Sequence, residues 1–227
     1  MAHFTIKDVK LRVPGKALSR QLREQLETGR YEWNEANAIE RHVGEGDRVL
    51  DIGAGAGFIS VLAGRAAGPE NVVSVEANPV MMEALRHNLD QNGSAETTLL
   101  HGAVVADNFD EETVLFAARD AFWASSIADA NTNPDKIVEV PALKLSELLE
   151  EHKPTIVSMD VEGGELELCQ QAWPDSVRLL VMEIHSKVYG AAGIKAIFDG
   201  MSANNMTFMP WGTRGEVVVM QRVRKEA

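Results

Sequence analysis

The sequence predicts an α/β fold: a mainly parallel, seven-stranded sheet with helices on both faces and an antiparallel C-terminal edge. Three observations predict it. From residue 48 onward, short apolar runs alternate with helix-like stretches, the order that βαβ units require. The first run ends in the glycine-rich turn Gly53-Ala54-Gly55-Ala56-Gly57. The last two runs, residues 206–209 and 216–221, are separated only by residues 210–215 and so add a hairpin-like edge.

Each element has its own signal. Residues 16–30 place Leu18, Leu22 and Leu26 four apart among charges, an amphipathic helix closing near Gly29. A second helix covers residues 35–42, so residues 1–42 are expected to form a helical cover. Strand 48–52 leads through the glycines into helix 58–66, and strand 71–76 leads into a helix that Pro79 opens and Asn92-Gly93 closes. Strands 97–100, 155–160 and 178–184 follow, with helices at 165–171 and 191–201. Residues 104–150 break the rhythm, with β segments at 114–117 and 137–140, a polar loop at 128–136 and a short helix at 145–150. A further βαβ crossover would need a longer helix there. The segment is therefore expected to be a β-containing insertion near the active site of a single domain spanning residues 1–227.

Composition narrows the function classes. The 227 residues are 45% hydrophobic and 25% charged, enough for a packed core. Lys and Arg number 22 against 34 Asp and Glu, and the net charge of -12 opposes general binding to a phosphate backbone or an anionic membrane surface. The single cysteine, Cys169, excludes an intramolecular disulfide framework and a cysteine-cluster metal site. No apolar run approaches the roughly 18–20 residues of a membrane span, and residues 1–10 carry no signal-peptide core, so a cytoplasmic location is expected.

The turn reads Asp51-Ile52-Gly53-Ala54-Gly55-Ala56-Gly57-Phe58, the pattern DxGxGxG. Its glycines let a ligand approach main-chain N–H groups at a helix N-terminus. Neither frame completes the GxGxxG or GxGxxA of a dinucleotide site, since Phe58 or Ser60 falls in the last position. A carboxylate at Asp51 would repel a pyrophosphate and suits a cationic ligand such as S-adenosylmethionine (SAM), which carries a sulfonium and an ammonium. Glu76, ending the second strand 19 residues beyond Gly57, can accept both hydroxyls of a ribose. After the third strand, Gly102 and Ala103 are small enough to admit an adenine, or else form a plain turn.

These residues resemble the class I SAM-dependent methyltransferases, and within them the FkbM family, over about residues 29–185. The resemblance rests on GRYEWNEANAIERHVGEGDRVLDIGAGAGFIS, VVSVEANPVMMEALRHNLDQNG, HGAV, Trp123-Ala124-Ser125-Ser126 and VPALKLSELLEEHKPTIVSMDVEGGELELC. The family's LKIDVEGAE-like segment here reads VSMDVEGGE, with Met159 in place of a lysine and Gly164 in place of a common alanine. The resemblance implies a Rossmann-like fold, SAM as methyl donor and a hydroxyl on a sugar or secondary metabolite as acceptor. It places Asp51, Gly53, Gly55 and Gly57 around the methionine portion of SAM. Glu76 takes the ribose beside Ala77 and Asn78, and Ala103 lies near the adenine. Tyr31 and Glu32 match an upstream YE that covers the donor's amino-acid end, although core packing explains Tyr31 equally well.

Transfer to an alcohol also requires its proton to leave, with help from a carboxylate, a histidine or a metal. Asp160, at a strand's C-terminal end, is the first choice for touching both donor methyl and acceptor. Glu183 and His185 end the next strand on one side of it, and His185 is the general-base candidate. Glu162 and Glu165 open a helix, where capping accounts for Glu165. Asp160, Glu183 and His185 have the chemistry of a divalent-metal set, but sequence separation cannot show that they converge, and no metal is predicted. Trp123, Ser125 and Ser126 are expected to wall the acceptor, with a packed loop anchor the alternative for Trp123. The expected function is O-methylation of a small molecule, with no nucleic-acid or membrane partner. Its rivals are a SAM-binding module without catalysis and a nucleotide-cofactor oxidoreductase.

Overall fold

A computed structural model describes residues 1–117, 126–127 and 137–223. The chain opens on an antiparallel hairpin, β1 (Ala2–Ile6) and β2 (Val9–Val13), which turns at Lys7-Asp8 with φ of 48° and 61°. The expectation of a wholly helical cover over residues 1–42 is thus corrected. Val9, Leu11 and Val13 are buried at a period of two, the signature of a half-buried strand. Support for the turn comes from far along the chain: the Arg65 guanidinium donates to the carbonyls of Lys7 and Asp8 at 3.0 and 2.9 Å. Helices α1 (Arg20–Glu27) and α2 (Trp33–His42) follow, the first capped by the Ser19 hydroxyl.

Then come β3 (Val49–Ile52), α3 (Phe58–Ala67), β4 (Val72–Glu76), α4 (Pro79–Gln91) and β5 (Thr98–His101). After β5 the chain leaves this sheet for β6 (Ala103–Val105), β7 (Thr113–Ala117), β8 (Ser126–Ile127) and β9 (Ile137–Lys144), a second sheet in the order β6-β9-β7-β8. Helix α5 (Leu145–His152) returns it to β10 (Ile156–Met159). The short α6 (Glu165–Leu168), β11 (Leu179–Glu183), α7 (Ser186–Ala203), β12 (Met206–Arg214) and β13 (Val217–Arg222) complete the order.

The main sheet runs β12-β13-β11-β10-β3-β4-β5, with β11, β10, β3, β4 and β5 parallel and the β12-β13 pair antiparallel at one edge. Passing from β5 to β10 reverses the side on which strands are added. That reversal opens a crevice at the C-terminal ends of β3 and β10, where open α/β sheets hold their ligands. Residues 210–214, expected in a turn, continue β12, and its pairing with β13 shifts between Met209 and Arg214. Pro210 is tolerated because it lies on the outermost strand, where no neighbour needs its missing N–H.

Strand alternation divides the core in two. Val49, Val72, Ile156 and Leu179 pack with α1 to α4 on one face, while Leu50, Val73, Val157 and Leu180 pack with α5 to α7 on the other. The N-terminal hairpin joins the first layer. Asn88 exchanges hydrogen bonds with the N–H and carbonyl of Arg12 at 2.8 and 3.0 Å, and Asn92 does the same with Lys10 at 2.9 and 2.8 Å. Two side-chain amides of α4 thereby serve β2 as a neighbouring strand would. Among the described residues, no helix is long and apolar enough to cross a membrane.

Candidate functional site

The DxGxGxG turn takes the shape that its glycines permit. Gly53, Gly55 and Gly57 have φ of 87°, 53° and 82°. At Gly53 the constraint is also one of space, since a Cβ there would lie 1.9 Å from the Asp160 carbonyl oxygen. Such contact follows from the register, in which Ile52 pairs with Met159 and so brings the ends of β3 and β10 together. Glu76 closes the turn from β4. Its carboxylate accepts the N–H of Gly55 at 2.7 Å and of Asn78 at 2.6 Å, and burial pushes its pKa up to about 7. Gly53, Gly55, Glu76, Ala77, Ala103 and Phe116 line a cavity here.

Three of the residues assigned to the cofactor stand behind this wall. Gly57 packs on Leu85, and a Cβ there would come within 2.5 Å of it. The Asn78 side chain caps α4 by accepting the N–H of Val80 at 3.1 Å. Asp51 points into the α3 layer, opposite to Leu50 and Ile52, and is 3% exposed. It accepts the Ser60 hydroxyl at 2.5 Å, and Ser60 accepts that of Ser74 at 2.7 Å. Burial raises the Asp51 pKa to about 6, against the hydrogen bonds of Ser60 and Ser158. Asp51 is thus the buried floor of the turn and does not line the cavity.

Asp160 lies where two spaces meet. It lines the cavity above and also a cleft formed by Tyr31, Trp33, Glu35, Glu183, His185 and Glu216. Glu32 and Glu162 line both spaces as well, and both hold left-handed backbone, with φ of 47° and 52°. Side-chain-bearing residues adopt that conformation at a cost, and such strain gathers at functional sites. Tyr31 reconciles its two readings. Its ring is buried at a centroid distance of 6.2 Å from Phe58, while burial and the neighbouring Glu32 carboxylate hold its hydroxyl pKa well above the usual range. Burial, then neighbouring carboxylates, holds the Glu32 pKa well above the usual range.

Glu165 does more than open α6. Fully buried, it accepts the N–H groups of Val161 and Gly163 at 3.0 and 2.8 Å and stands 3.0 Å from Nδ1 of His185. The other imidazole nitrogen, Nε2, faces Asp160 at 3.5 Å and Glu162 at 3.4 Å. Ligand-capable atoms of Asp160, Glu183 and His185 all lie within 4.8 Å of one another. Burial opposes charge on the imidazole, but Glu162 and Glu165, then Asp160, outweigh it and push its pKa up to about 11. Asp160 and Glu183 are both raised, first by burial and then by the carboxylates around them.

The structure therefore brings Glu32, Asp160, Glu183 and His185 together, and places Gly53, Gly55, Glu76, Ala77 and Ala103 around the adjoining cavity. Trp123 and Ser125 lie outside the described residues, and Ser126 is described only as backbone of β8. Sequence reasoning missed Glu162 as a wall of both spaces and Glu165 as the partner of His185. Their only signal was the density of carboxylates in DVEGGE.

Known proteins share parts of this chain. Over 96 residues it is 31% identical to a ribosomal protein L11 methyltransferase of Exiguobacterium sp. (strain ATCC BAA-1283 / AT1b), covering 37% of this chain and 30% of that protein. Over 76 residues it is 33% identical to uncharacterized protein MJ1452 of Methanocaldococcus jannaschii, covering 34% and 29%. Each match thus spans under a third of the relative's length. The structure of the human methyltransferase 10 domain containing protein is similar in fold, with a TM-score of 0.54 at 14% identity over 96% of this chain and 90% of that one. Residues 51–203, which hold the glycine turn, Glu76, Asp160, Glu183 and His185, match the family model of the methyltransferase FkbM domain. The chain belongs to the FkbM family of SAM-dependent methyltransferases.

Proposed function

We propose that this protein transfers the methyl group of SAM to a hydroxyl oxygen of a small molecule. One observation carries the reading: Asp160, with Glu32 and Glu162, is shared between the cavity beneath the glycine turn and the cleft that holds Glu183 and His185. In this reading SAM lies in the cavity with its ribose on Glu76 and its adenine beside Ala77 and Ala103. Its sulfonium reaches the shared wall, where carboxylates favour a cation. The acceptor enters the cleft. As its oxygen bonds to the methyl carbon, the carbon–sulfur bond breaks and the sulfonium becomes the neutral thioether of S-adenosylhomocysteine. The hydroxyl proton passes to a carboxylate of the cluster, and the apposition of donor and acceptor supplies much of the rate. Trp123, Ser125 and Ser126 are proposed as acceptor contacts. The net charge of -12 supports a small acceptor over a nucleic acid, and a cytoplasmic site of action is part of the same reading.

Calorimetry with S-adenosylhomocysteine and NADPH, then a labelled-methyl screen of sugars, hydroxylated metabolites, amines and proteins, tests this. The expected result is binding of S-adenosylhomocysteine alone and label in an ether. Binding of NADPH alone, label only in amine or protein, or no transfer to any acceptor would each overturn it.

A further inference from the structure

We propose that Asp160, Glu183 and His185 hold a divalent first-row cation of the Mn²⁺ class at the junction of cavity and cleft, with Glu165 orienting the imidazole from behind. The inference rests on the proposed function only for its catalytic consequence; the binding of the ion stands apart from it.

Four features carry the argument. The donor set, two carboxylate oxygens and one imidazole nitrogen, suits divalent ions of this class. It is assembled from two strand ends that the sheet makes neighbours, since β10 pairs with β11. Bonds of about 2.0–2.2 Å set neighbouring ligand atoms about 3–3.6 Å apart in octahedral or tetrahedral geometry. His185 Nε2 and Asp160 Oδ1 already stand 3.5 Å apart, and with all three ligand atoms within 4.8 Å of one another the Glu183 carboxylate need move in by at most about 1–2 Å.

The imidazole is prepared in the way metal-bound histidines are. With Nδ1 against buried Glu165 at 3.0 Å, Nε2 is the nitrogen presented to the cluster, the carboxylate–histidine–metal arrangement in which the outer carboxylate fixes orientation. Lastly, an acceptor atom lacks a donor. Asp160 Oδ1 has almost no accessible surface and accepts no hydrogen bond from any described residue, and His185 Nε2 faces it from 3.5 Å. One imidazole cannot serve Asp160, Glu162, Glu165 and Glu183 together, whereas a divalent ion would satisfy the orphaned oxygen. All three ligands belong to the wall of the cleft, so the open positions of the ion would face the acceptor. There it would acidify the acceptor's hydroxyl, whose proton passes to Glu162 as the methyl group is transferred.

The test is titration of the EDTA-treated full chain with Mn²⁺ alone, followed by electron paramagnetic resonance, without donor or acceptor. One bound Mn²⁺ per chain is expected, with a nitrogen hyperfine signal that His185→Ala removes. Asp160→Asn and Glu183→Gln should weaken binding at least tenfold, and Glu165→Gln about 10- to 100-fold. Circular dichroism and S-adenosylhomocysteine calorimetry on each variant separate loss of the ion from loss of the fold. Absence of stoichiometric Mn²⁺ binding, or binding that His185→Ala and Glu183→Gln leave unchanged in folded protein, overturns the proposal. Methyl transfer that proceeds undiminished in EDTA overturns the ion's catalytic role and leaves the proposed reaction standing.

Discussion

The carboxylate of Glu165 lies 3.0 Å from Nδ1 of His185, joining the start of α6 to the residue that leads from β11 into α7 across 20 residues of sequence. The same carboxylate holds two backbone N–H groups of the turn after β10. It therefore has a structural task and a positioning task, and two substitutions separate them. Glu165→Ala removes the partner of both N–H groups and of Nδ1 of the imidazole in a buried place. It should lower stability by about 3 kcal/mol in urea denaturation. Glu165→Gln keeps an acceptor and should cost about 1 kcal/mol, while kcat falls about 10- to 100-fold and KM for SAM stays within twofold. Equal kcat in the Gln variant would confine Glu165 to structure.

Gly53 is the position where the donor cavity tolerates least. Gly53→Ala places a methyl group 1.9 Å from the Asp160 carbonyl on backbone with φ of 87°. The β3-β10 junction must then shift, at a cost of about 3 kcal/mol. Calorimetry should find no binding of S-adenosylhomocysteine to this variant; near-native affinity would mean that the junction is not the donor site.

Glu76 makes donor binding depend on pH. Its folded pKa, raised by burial to about 7 from 4.5, means that the folded chain binds the extra proton more tightly than the unfolded one. Its contribution to stability is thus full below pH 4.5 and is lost as pH rises through about 7. Binding of a ribose diol needs the opposite, ionised form. Affinity for S-adenosylhomocysteine should therefore rise about tenfold from pH 6 to pH 8, with proton release near pH 6 visible as a dependence of calorimetric heat on the buffer. Glu76→Gln should bind weakly and flatten the profile. A flat profile in the wild-type chain would remove Glu76 from the ribose site.

The serines beneath Asp51 predict a different kind of defect. Ser60→Ala removes the hydroxyl that links Asp51 to Ser74. It should lower the melting free energy by about 1–2 kcal/mol, with donor affinity reduced less than threefold. An affinity loss beyond tenfold with unchanged stability would indicate that Asp51 contacts the donor directly.

Much of this arrangement was legible because glycine and alternation are local signals. The DxGxGxG turn, the strand-end Glu76 and the strand-end Asp160 each follow from a few adjacent residues. What escaped depends on distant partners. The hairpin of residues 1–13 turns on Lys-Asp, which carries no glycine signal, and is held by Arg65, Asn88 and Asn92. Alternation assigns Asp51 to the α3 side of the sheet, yet only the fold reveals that Ser60 waits there. The partnership of Glu165 with His185 depends on β10 lying beside β11, a fact of sheet order that no spacing in the chain records.

The shift in pairing along β12 also bears on how copies of this protein meet one another. Among the described residues β12 is the outer strand of the sheet, and an edge bearing Phe208 and Trp211, which are 46% and 63% exposed, is a template for stacking one molecule on the next. Pro210 and the broken register interrupt the ladder between these two aromatics. The Arg41 guanidinium lies 5.3 Å from the centroid of the Trp211 ring, and His42 ties the Trp211 carbonyl back to α2. The ladder is thus broken where an unbroken apolar edge would invite edge-to-edge pairing, so the irregularity works against stacking of one molecule on the next.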